Sequence, residues 1–184
     1  MGHREDLLEG AKRCLIERGY SRTTARDIVE ASNTNLGSIG YHYGTKDKLL
    51  LQAMIELSGD LAETMITVGT GADAEDAGER LRTFWSGMID SFRNDRALWK
   101  ANLEILTQTL HDDELRQRLA DTQERGRVGL GEAFTSAGGD AGRAAGAIQF
   151  ALITGVMTQH LVDPDRAPTA DDVIAGLRAI AAVR

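Results

Sequence analysis

The first 163 residues of this 184-residue chain contain no proline, because its two prolines are Pro164 and Pro168. A proline inside a helix removes a backbone hydrogen bond, clashes with the preceding turn and costs about 3 kcal/mol. Long uninterrupted helices are therefore permitted over most of the chain. Aromatic residues make up only 5% of the sequence, and few segments are rich in β-branched residues, which disfavours an all-β fold. We predict an all-α protein.

Apolar residues recur at three- and four-residue spacing along most of the chain, as they do in amphipathic helices. We expect a loop at 69–77, and an N-terminal three-helix domain over residues 1–50 followed by a C-terminal helical bundle over residues 51–184. The pattern predicts helices over residues 4–19, 24–32, 36–43, 46–68, 77–94, 96–110, 113–137, 140–162 and 170–184.

Charge is distributed unevenly between these two parts. The net charge is −7, yet residues 1–50 carry 8 Lys/Arg and 7 Asp/Glu, whereas residues 51–184 carry 13 and 21. An acidic body with a near-neutral head is compatible with a protein whose head alone contacts nucleic acid. The charge pattern alone does not establish that contact.

Cysteine content and the absence of long apolar runs bear on location. The single cysteine, Cys14, cannot form an intramolecular disulfide and lies on the apolar face of the first predicted helix, which favours a buried structural thiol over a redox sensor. No basic-then-apolar leader begins the chain, and no apolar run approaches the ~20 residues that cross a membrane. The sequence predicts a cytoplasmic protein that does not associate with membranes.

Residues 24–43 have the length and composition of a helix-turn-helix. Thr24 and Asp27 have the spacing of a capping box at the start of the first helix. At about 100° per residue, Leu36, Ile39 and Tyr43 fall on one side of the second helix, where we expect them to pack on the preceding helices. Gly40 lies towards this packed side.

The opposite side of that short helix is polar and carries no acidic residue. Asn and Ser side chains can bond base edges or phosphates, and Tyr and His reach the DNA backbone or the thymine methyl group. Gly37 would let the backbone approach DNA closely. Thr24 and Lys46, at helix N-termini, are candidate phosphate contacts. A merely solvated surface helix would have the same periodicity. The polar side consists of Thr34, Asn35, Ser38, Tyr41 and His42.

These segments resemble the DNA-binding domain of TetR-family regulators. The similarity covers roughly residues 5–55 and rests on residues 16–20 (IERGY), 23–28 (TTARDI) and 36–50 (LGSIGYHYGTKDKLL). The chain departs from the family at Leu36, where basic or small residues are common, and at Gly40, where larger ones are. The resemblance implies phosphate contacts at Thr24, Tyr41, His42 and Lys46 and base contacts around Asn35, Leu36 and Ser38.

A single short recognition helix reads few bases, so a dimer on a palindromic site is expected. The predicted helix over 140–162 is apolar on two sides, one for its own domain and one for a partner. The alternative is a central core helix of a monomer. The residues predicted at the dimer interface are Ile148, Leu152, Val156, Val173, Leu177 and Ile180.

Large apolar residues concentrated in the C-terminal part suggest a pocket for a partly apolar small-molecule effector. Plain core packing is the alternative. Glycines at 126, 129 and 131 weaken the helix over 113–137, which we expect to bend or shift when the pocket fills. The predicted pocket residues are Phe84, Trp85, Met88, Phe92, Trp99, Asn102, Leu103, Leu106, Gln149 and Thr154.

Two other classes of function are disfavoured. The four histidines have no paired metal-ligand spacing, and the sequence lacks a phosphate loop, a nucleophile elbow and a Cys–His arrangement, so we predict no enzyme activity, no cofactor and no metal. A purely protein-binding module would explain the acidic body but not the polar helix flanked by Thr24 and Lys46. The sequence predicts a TetR-type regulator, a repressor that binds palindromic operator DNA as a dimer and is released by an effector.

Overall fold

The computed structural model describes residues 2–70, 77–108, 113–135 and 139–182. Over these residues the chain forms nine α-helices and no strand, which confirms the all-α prediction. The helices are α1 (His3–Arg18), α2 (Ala25–Ser32), α3 (Leu36–Tyr43), α4 (Lys46–Thr70), α5 (Ala77–Asn94), α6 (Arg96–Gln108), α7 (Asp113–Phe134), α8 (Gly139–Val162) and α9 (Ala170–Ala181).

The chain forms two compact units that do not follow chain order. The N-terminal unit consists of Met1–Asp60 and Ala97–Asp121, and the C-terminal unit of Leu61–Arg96 and Thr122–Arg184. Helices α4, α6 and α7 therefore each contribute to both units. Most of α6 belongs with α1 to α3, although α5 separates it from them in sequence. The functional domains at 1–50 and 51–184 stay a prediction.

The N-terminal unit is built around the contact of α1 with α2, against which α3 also packs. Leu7, Ile28 and Leu49 are completely buried there, and Ile105 of α6 joins the same apolar cluster. Burying each such side chain stabilises the folded state by about 1.5–3 kcal/mol relative to leaving it exposed. A Cβ on Gly10 would lie 2.8 Å from the Ser32 Cβ, so α1 and α2 pack this closely only because residue 10 is glycine.

Local caps define the helix ends near the chain's start, and the predicted capping box of Thr24 and Asp27 is confirmed. Thr24 and Asp27 form a capping box before α2, Asn35 caps α3, and Gly19 and Gly44 follow α1 and α3 with φ of 80° and 79°. These signals act over three or four residues, which is why sequence alone locates them.

Later helix ends differ from the predictions. The predicted loop at 69–77 is wrong at residues 69 and 70, which continue α4, and residues 71–76 lie outside the described residues. Helix α7 ends at Phe134, so Thr135 is not helical as predicted. Small residues in these stretches made both ends difficult to place from composition. The predicted helical residues 109–110, 136–137 and 183–184 also lie outside the described residues.

In the C-terminal unit α5 packs against α8 and α9, and Phe84, Trp85 and Phe92 are completely buried. Helices α7 and α8 contact each other through their backbones. A Cβ on Gly146 would collide with the carbonyl of Arg127. A Cβ on Gly131 would likewise collide with the carbonyl of Gly142 in α8. No side chain therefore fits between the two helices at these positions.

Candidate nucleic-acid interface

The N-terminus of α2 is fixed by Thr24 and Asp27. The Asp27 backbone N–H donates to Thr24 Oγ1 at 3.2 Å, and the Thr24 backbone N–H and hydroxyl donate to Asp27 Oδ2 at 2.8 and 2.7 Å. Arg18 Nη1 lies 2.8 Å from Asp27 Oδ1. Hydrogen bonds from the Thr24 hydroxyl and backbone, aided by the Arg18 charge, hold the pKa of Asp27 below its ordinary value. Since the Thr24 hydroxyl already donates to a carboxylate, the backbone N–H groups of the first turn are the donors left for an anion.

The polar side of helix α3 faces solvent only in part, since Asn35 and Tyr41 are exposed whereas Thr34, Ser38 and His42 are half-buried. Tyr41 is 85% exposed, and its ring meets the His42 ring edge-on with centroids 4.8 Å apart. Asn35 is exposed, and its Oδ1 accepts from the Ser38 backbone N–H at 3.1 Å. The Asn35 amide N–H₂ and the Ser38 hydroxyl are therefore the groups of these two side chains that can address a base edge.

The packed side of α3 is narrower than predicted. Ile39 is buried, and the Tyr43 hydroxyl donates to the Arg4 carbonyl at 2.7 Å, as expected for a face on α1 and α2. The predicted packing of Leu36 is wrong, because that side chain is 52% exposed. The placement of Gly40 on the packed side is also wrong, since a Cβ there would meet nothing within 4 Å. The neighbours of α3 cover one stripe of a short helix, and its first turn projects beyond them.

Thr34 and Gly37 support the turn and the cap of α3. Thr34 is half-buried, and its Oγ1 lies 2.7 Å from the Ser32 hydroxyl, which ties the turn to the end of α2. Gly37 is exposed, and a Cβ there would lie 3.1 Å from Asn35 Oδ1. Glycine at this position therefore leaves room for the capping side chain, in addition to any close approach to DNA.

Lys46, at the start of α4, reaches the residue that precedes Thr24. Its Nζ donates to the Thr23 carbonyl at 3.3 Å, lies 3.5 Å from Asp47 Oδ1 and stands 5.9 Å from the centroid of the Tyr20 ring. The structure thus brings together Thr24 and Lys46, the two candidate phosphate contacts at helix N-termini.

Basic residues around Thr24 were not selected from the sequence. Arg22 and Arg26 are exposed two residues before and after Thr24, and Lys48 is exposed in the first turn of α4. Within the described ranges, no hydrogen bond or ion pair engages the Arg26 guanidinium. Arg22 and Arg26 lie at equal distances in sequence from the N-cap Thr24, and this spacing is the sequence signal that could have identified them. These cations make the edge formed by the starts of α2 and α4 suitable for phosphate groups.

The residues predicted to line one effector pocket are divided between the two units. Phe84, Trp85, Met88, Phe92, Gln149 and Thr154 belong to the C-terminal unit, and Trp99, Asn102, Leu103 and Leu106 to the N-terminal unit. Thr154 Oγ1 donates to the Phe150 carbonyl at 3.3 Å. Trp85 Nε1 and Gln149 Oε1 are buried with no hydrogen-bond partner among the described residues.

Gln149 also lines a cavity of about 550 Å³ in the C-terminal unit. This volume is within the ~300–1,000 Å³ typical of small-molecule sites. None of the described residues that line the cavity is charged, and its other walls are Gly78, Leu81, Phe134, Ala144, Ala145, Ile148 and Leu177.

The six residues predicted at the dimer interface differ in exposure. Val156 and Val173 are buried within the C-terminal unit, and Leu152 and Leu177 are half-buried, whereas Ile148 and Ile180 are 59% and 72% exposed. Val162, which is not among the six residues predicted at the interface, is 79% exposed. An exposed stripe of small and apolar residues runs along α8 at Ile148, Ala151, Gly155 and Val162.

Helix α8 has the length and composition of a membrane-crossing helix, and 33% of its most apolar stretch is buried within this chain. A helix that is apolar beyond the part its own chain covers is suited to contact another apolar surface.

Two family profiles match the chain in order. The profile described as "Bacterial regulatory proteins, tetR family" matches residues 7–53, and "Tetracyclin repressor-like, C-terminal domain" matches residues 72–182.

Curated relatives include two proteins named HTH-type transcriptional repressor AcnR. The chain is 34% identical to that of Corynebacterium efficiens and 39% identical to that of Corynebacterium glutamicum, in each case over 121 residues and 65% of this chain. The matched stretch spans 57% of each relative's length. The crystal structure of SCO7518 from Streptomyces coelicolor A3(2) has the same fold, with a TM-score of 0.77 and 21% identity over 98% of this chain and 99% of that one.

Proposed function

The chain belongs to the TetR family of bacterial transcriptional regulators, and from this membership we propose that it is a cytoplasmic repressor that binds a palindromic operator as a homodimer and leaves it when a small molecule binds. The observation that carries the proposal is the solvent-facing part of α3, where Asn35 and Tyr41 are exposed, together with the exposed cations Arg26 and Lys48 at the starts of α2 and α4.

On DNA, α3 enters the major groove, which is wide enough to admit an α-helix. The Asn35 amide and the Ser38 hydroxyl bond base edges, and the half-exposed Leu36 contacts a thymine methyl group. Tyr41 and His42 contact the backbone. Lys46, Arg26 and the backbone N–H groups at the start of α2 bind the phosphates that flank this groove.

The homodimer forms through the exposed stripe of α8 together with Ile180 of α9. Gly155 and Ala151 permit close approach of a second helix, and Ile148 and Val162 supply the apolar area. Val156 and Val173 support this face from inside the unit, since they are already buried there. A twofold pair places two copies of α3 on successive half-sites of a palindrome.

The effector occupies the cavity of about 550 Å³ in the C-terminal unit. Its described walls are uncharged and apolar apart from Gln149, whose carbonyl oxygen has no donor in the part of the chain that the structure describes. These properties fit an uncharged, largely apolar molecule with one N–H or O–H group. Binding changes the spacing of the two α3 helices by favouring one of two conformations of the dimer.

Selection of bound fragments from genomic DNA tests the DNA-binding part. The full-length tagged chain is incubated with sheared DNA of the source organism, and recovered fragments are sequenced. We expect a shared inverted repeat, and an affinity that falls steeply with salt because bound phosphates release counterions. Recovery of fragments with no common repeat, bound no better than a scrambled duplex, would contradict the proposal.

A further inference from the structure

A carboxylate from α6 binds the backbone between α1 and α2. Glu104 Oε2 accepts a hydrogen bond from the Tyr20 N–H at 3.0 Å, and Oε1 accepts from the Ser21 N–H at 3.4 Å and the Ser21 hydroxyl at 3.5 Å. Glu104 follows Tyr20 by 84 residues but belongs to the same compact unit. Hydrogen bonds to an ionised acceptor are roughly twice as strong as neutral ones.

The loop is shaped to receive this carboxylate. Gly19 has φ of 80°, and a Cβ there would lie 2.6 Å from Glu104 Oε2. Thr23 closes the other end of the loop, because its hydroxyl contacts the carbonyls of Gly19 at 2.7 Å and Cys14 at 3.3 Å. The loop is thus held to α1 by Thr23 and to α6 by Glu104.

The same loop supports the groups proposed to contact phosphate. Lys46 donates to the Thr23 carbonyl at 3.3 Å and stands 5.9 Å from the centroid of the Tyr20 ring. Thr24, which follows directly, is the N-cap of α2. A displacement of residues 19–23 would move both the Lys46 ammonium and the first-turn N–H groups of α2.

We propose that Glu104 is a positioning residue for DNA binding, which acts through the loop of residues 19–23. This inference rests on the proposed function, since it concerns the same phosphate-binding edge. The positioning role and the charge of Glu104 predict opposite changes in DNA affinity. Glu104 is negatively charged in a protein that binds a polyanion, so electrostatics alone predicts tighter DNA binding when the charge is removed. Loss of positioning predicts weaker binding.

The variant Glu104→Gln removes the charge and replaces one acceptor oxygen by an amide N–H₂ while keeping the shape. The matched control is Glu17→Gln, which removes the same charge from an exposed position on α1 in the same unit. The probes are a duplex selected by the wild-type chain from a random-sequence library and its scrambled counterpart. We expect Glu104→Gln to bind the selected duplex about tenfold more weakly. The control should bind as the wild type does, or slightly more tightly.

Amide hydrogen exchange of the free protein separates positioning from general destabilisation. In Glu104→Gln the Tyr20 and Ser21 amides should exchange faster, while the Ile28 amide, bonded to the carbonyl of the α2 N-cap Thr24, keeps its wild-type rate. Equal DNA binding by the two variants, or unchanged exchange at Tyr20 and Ser21, overturns the inference. Faster exchange extending to Ile28 also overturns it, because the role is then structural.

Failure of the proposed function is recognisable in the same experiment. If the wild-type chain binds the selected duplex no better than the scrambled one, then specific DNA binding itself is absent and both proposals are overturned. If the wild type discriminates between the duplexes and Glu104→Gln matches the Glu17→Gln control, only the role of Glu104 is overturned.

Discussion

Asp27 accepts a 2.7 Å hydrogen bond from the Thr24 hydroxyl, and Asp172 accepts a 2.6 Å bond from the Thr169 hydroxyl in the same way at the start of α9. In both boxes the aspartate N–H donates back to the threonine at 3.2 Å. The chain therefore contains two nearly identical caps, one at the proposed DNA edge and one in the C-terminal unit.

These caps make stability depend on acid. The threonine bonds lower the pKa of Asp27 and of Asp172 in the folded chain. Their stabilisation is complete above the unfolded value of about 3.9 and is lost as pH falls through the lowered pKa. We expect Asp27→Asn and Asp172→Asn each to reduce this acid-dependent loss, measured by urea unfolding across that pH range. Only Asp27→Asn should also weaken operator binding at neutral pH. Equal binding by the two variants would contradict this prediction.

The two glycines with positive φ near the N-terminus form a second pair. Gly19→Ala and Gly44→Ala should each cost about 1–3 kcal/mol, because alanine is strained in these conformations. Gly19→Ala should cost more, since a Cβ at Gly44 meets nothing within 4 Å whereas one at Gly19 meets Glu104. Equilibrium unfolding measures both costs. The extra cost should disappear when Gly19→Ala is combined with Glu104→Ala, and its persistence would exclude this contact as the cause.

Lys46 and Ser38 are expected to affect DNA binding in different ways. Lys46→Ala should weaken binding to every duplex and reduce the salt slope by about one unit, because one phosphate contact is lost. Ser38→Ala should change the preference at one base pair, by about 1–3 kcal/mol. Binding isotherms at several salt concentrations, on the selected duplex and its single-base variants, measure both effects. Lys100→Ala, exposed on α6, is the control for loss of a cation. If Lys46→Ala and Ser38→Ala both leave operator binding unchanged, the contact assignment is wrong.

The dimer proposal predicts that charge on the exposed stripe of α8 separates the protomers. Ile148→Glu and Val162→Glu should each yield folded monomers, because an unpaired carboxylate would be buried at an apolar contact. Sedimentation gives the mass, and circular dichroism confirms that the helices persist. Arg143→Glu changes the charge of α8 away from the stripe and should remain dimeric. Dimeric Ile148→Glu and Val162→Glu variants would place the interface elsewhere.

Two glycines of α8 should respond oppositely to alanine. Gly155→Ala meets nothing within 4 Å in the protomer and should stabilise its helix by up to about 1 kcal/mol when both variants are measured in the monomeric Ile148→Glu background, because residue 155 lies on the proposed dimer stripe. Gly146→Ala drives a methyl group into the Arg127 carbonyl and should cost about 3 kcal/mol or more, since two backbones must separate. Thermal unfolding of both variants gives the comparison, and similar melting temperatures would show that α7 and α8 do not pack as closely as described.

Local features of this fold were predictable, and long-range ones were not. The capping box at the start of α2 joins Thr24 to Asp27, three positions away, so the sequence locates it. The exposure of Leu36 and Gly40 depends on where neighbouring helices end, and helical angles contain no such information. Glu104 carries no sequence signal for its contact with Tyr20. Trp99 was grouped with Phe84 because they are close in sequence, although they belong to different units.

Two glycines of α7 have a packing role that composition does not reveal. Gly131 accommodates the Gly142 carbonyl, and a Cβ on Gly126 would lie 3.1 Å from the Phe150 ring. The absent side chains at these two positions therefore allow close packing. Bending or shifting of this helix when the pocket fills stays a prediction.

The backbone contacts at Gly131 and Gly146 also bear on how such chains diverge. Residues lining a cavity can be exchanged for others of similar volume, so they vary freely as the molecule recognised changes. A carbonyl that packs directly against a glycine Cα leaves no space for a side chain, so that glycine cannot be exchanged. Homologues with this interhelical spacing must keep glycine at these positions, even when their effectors share no chemistry. This pair should therefore identify a structural subfamily better than the residues that contact ligand.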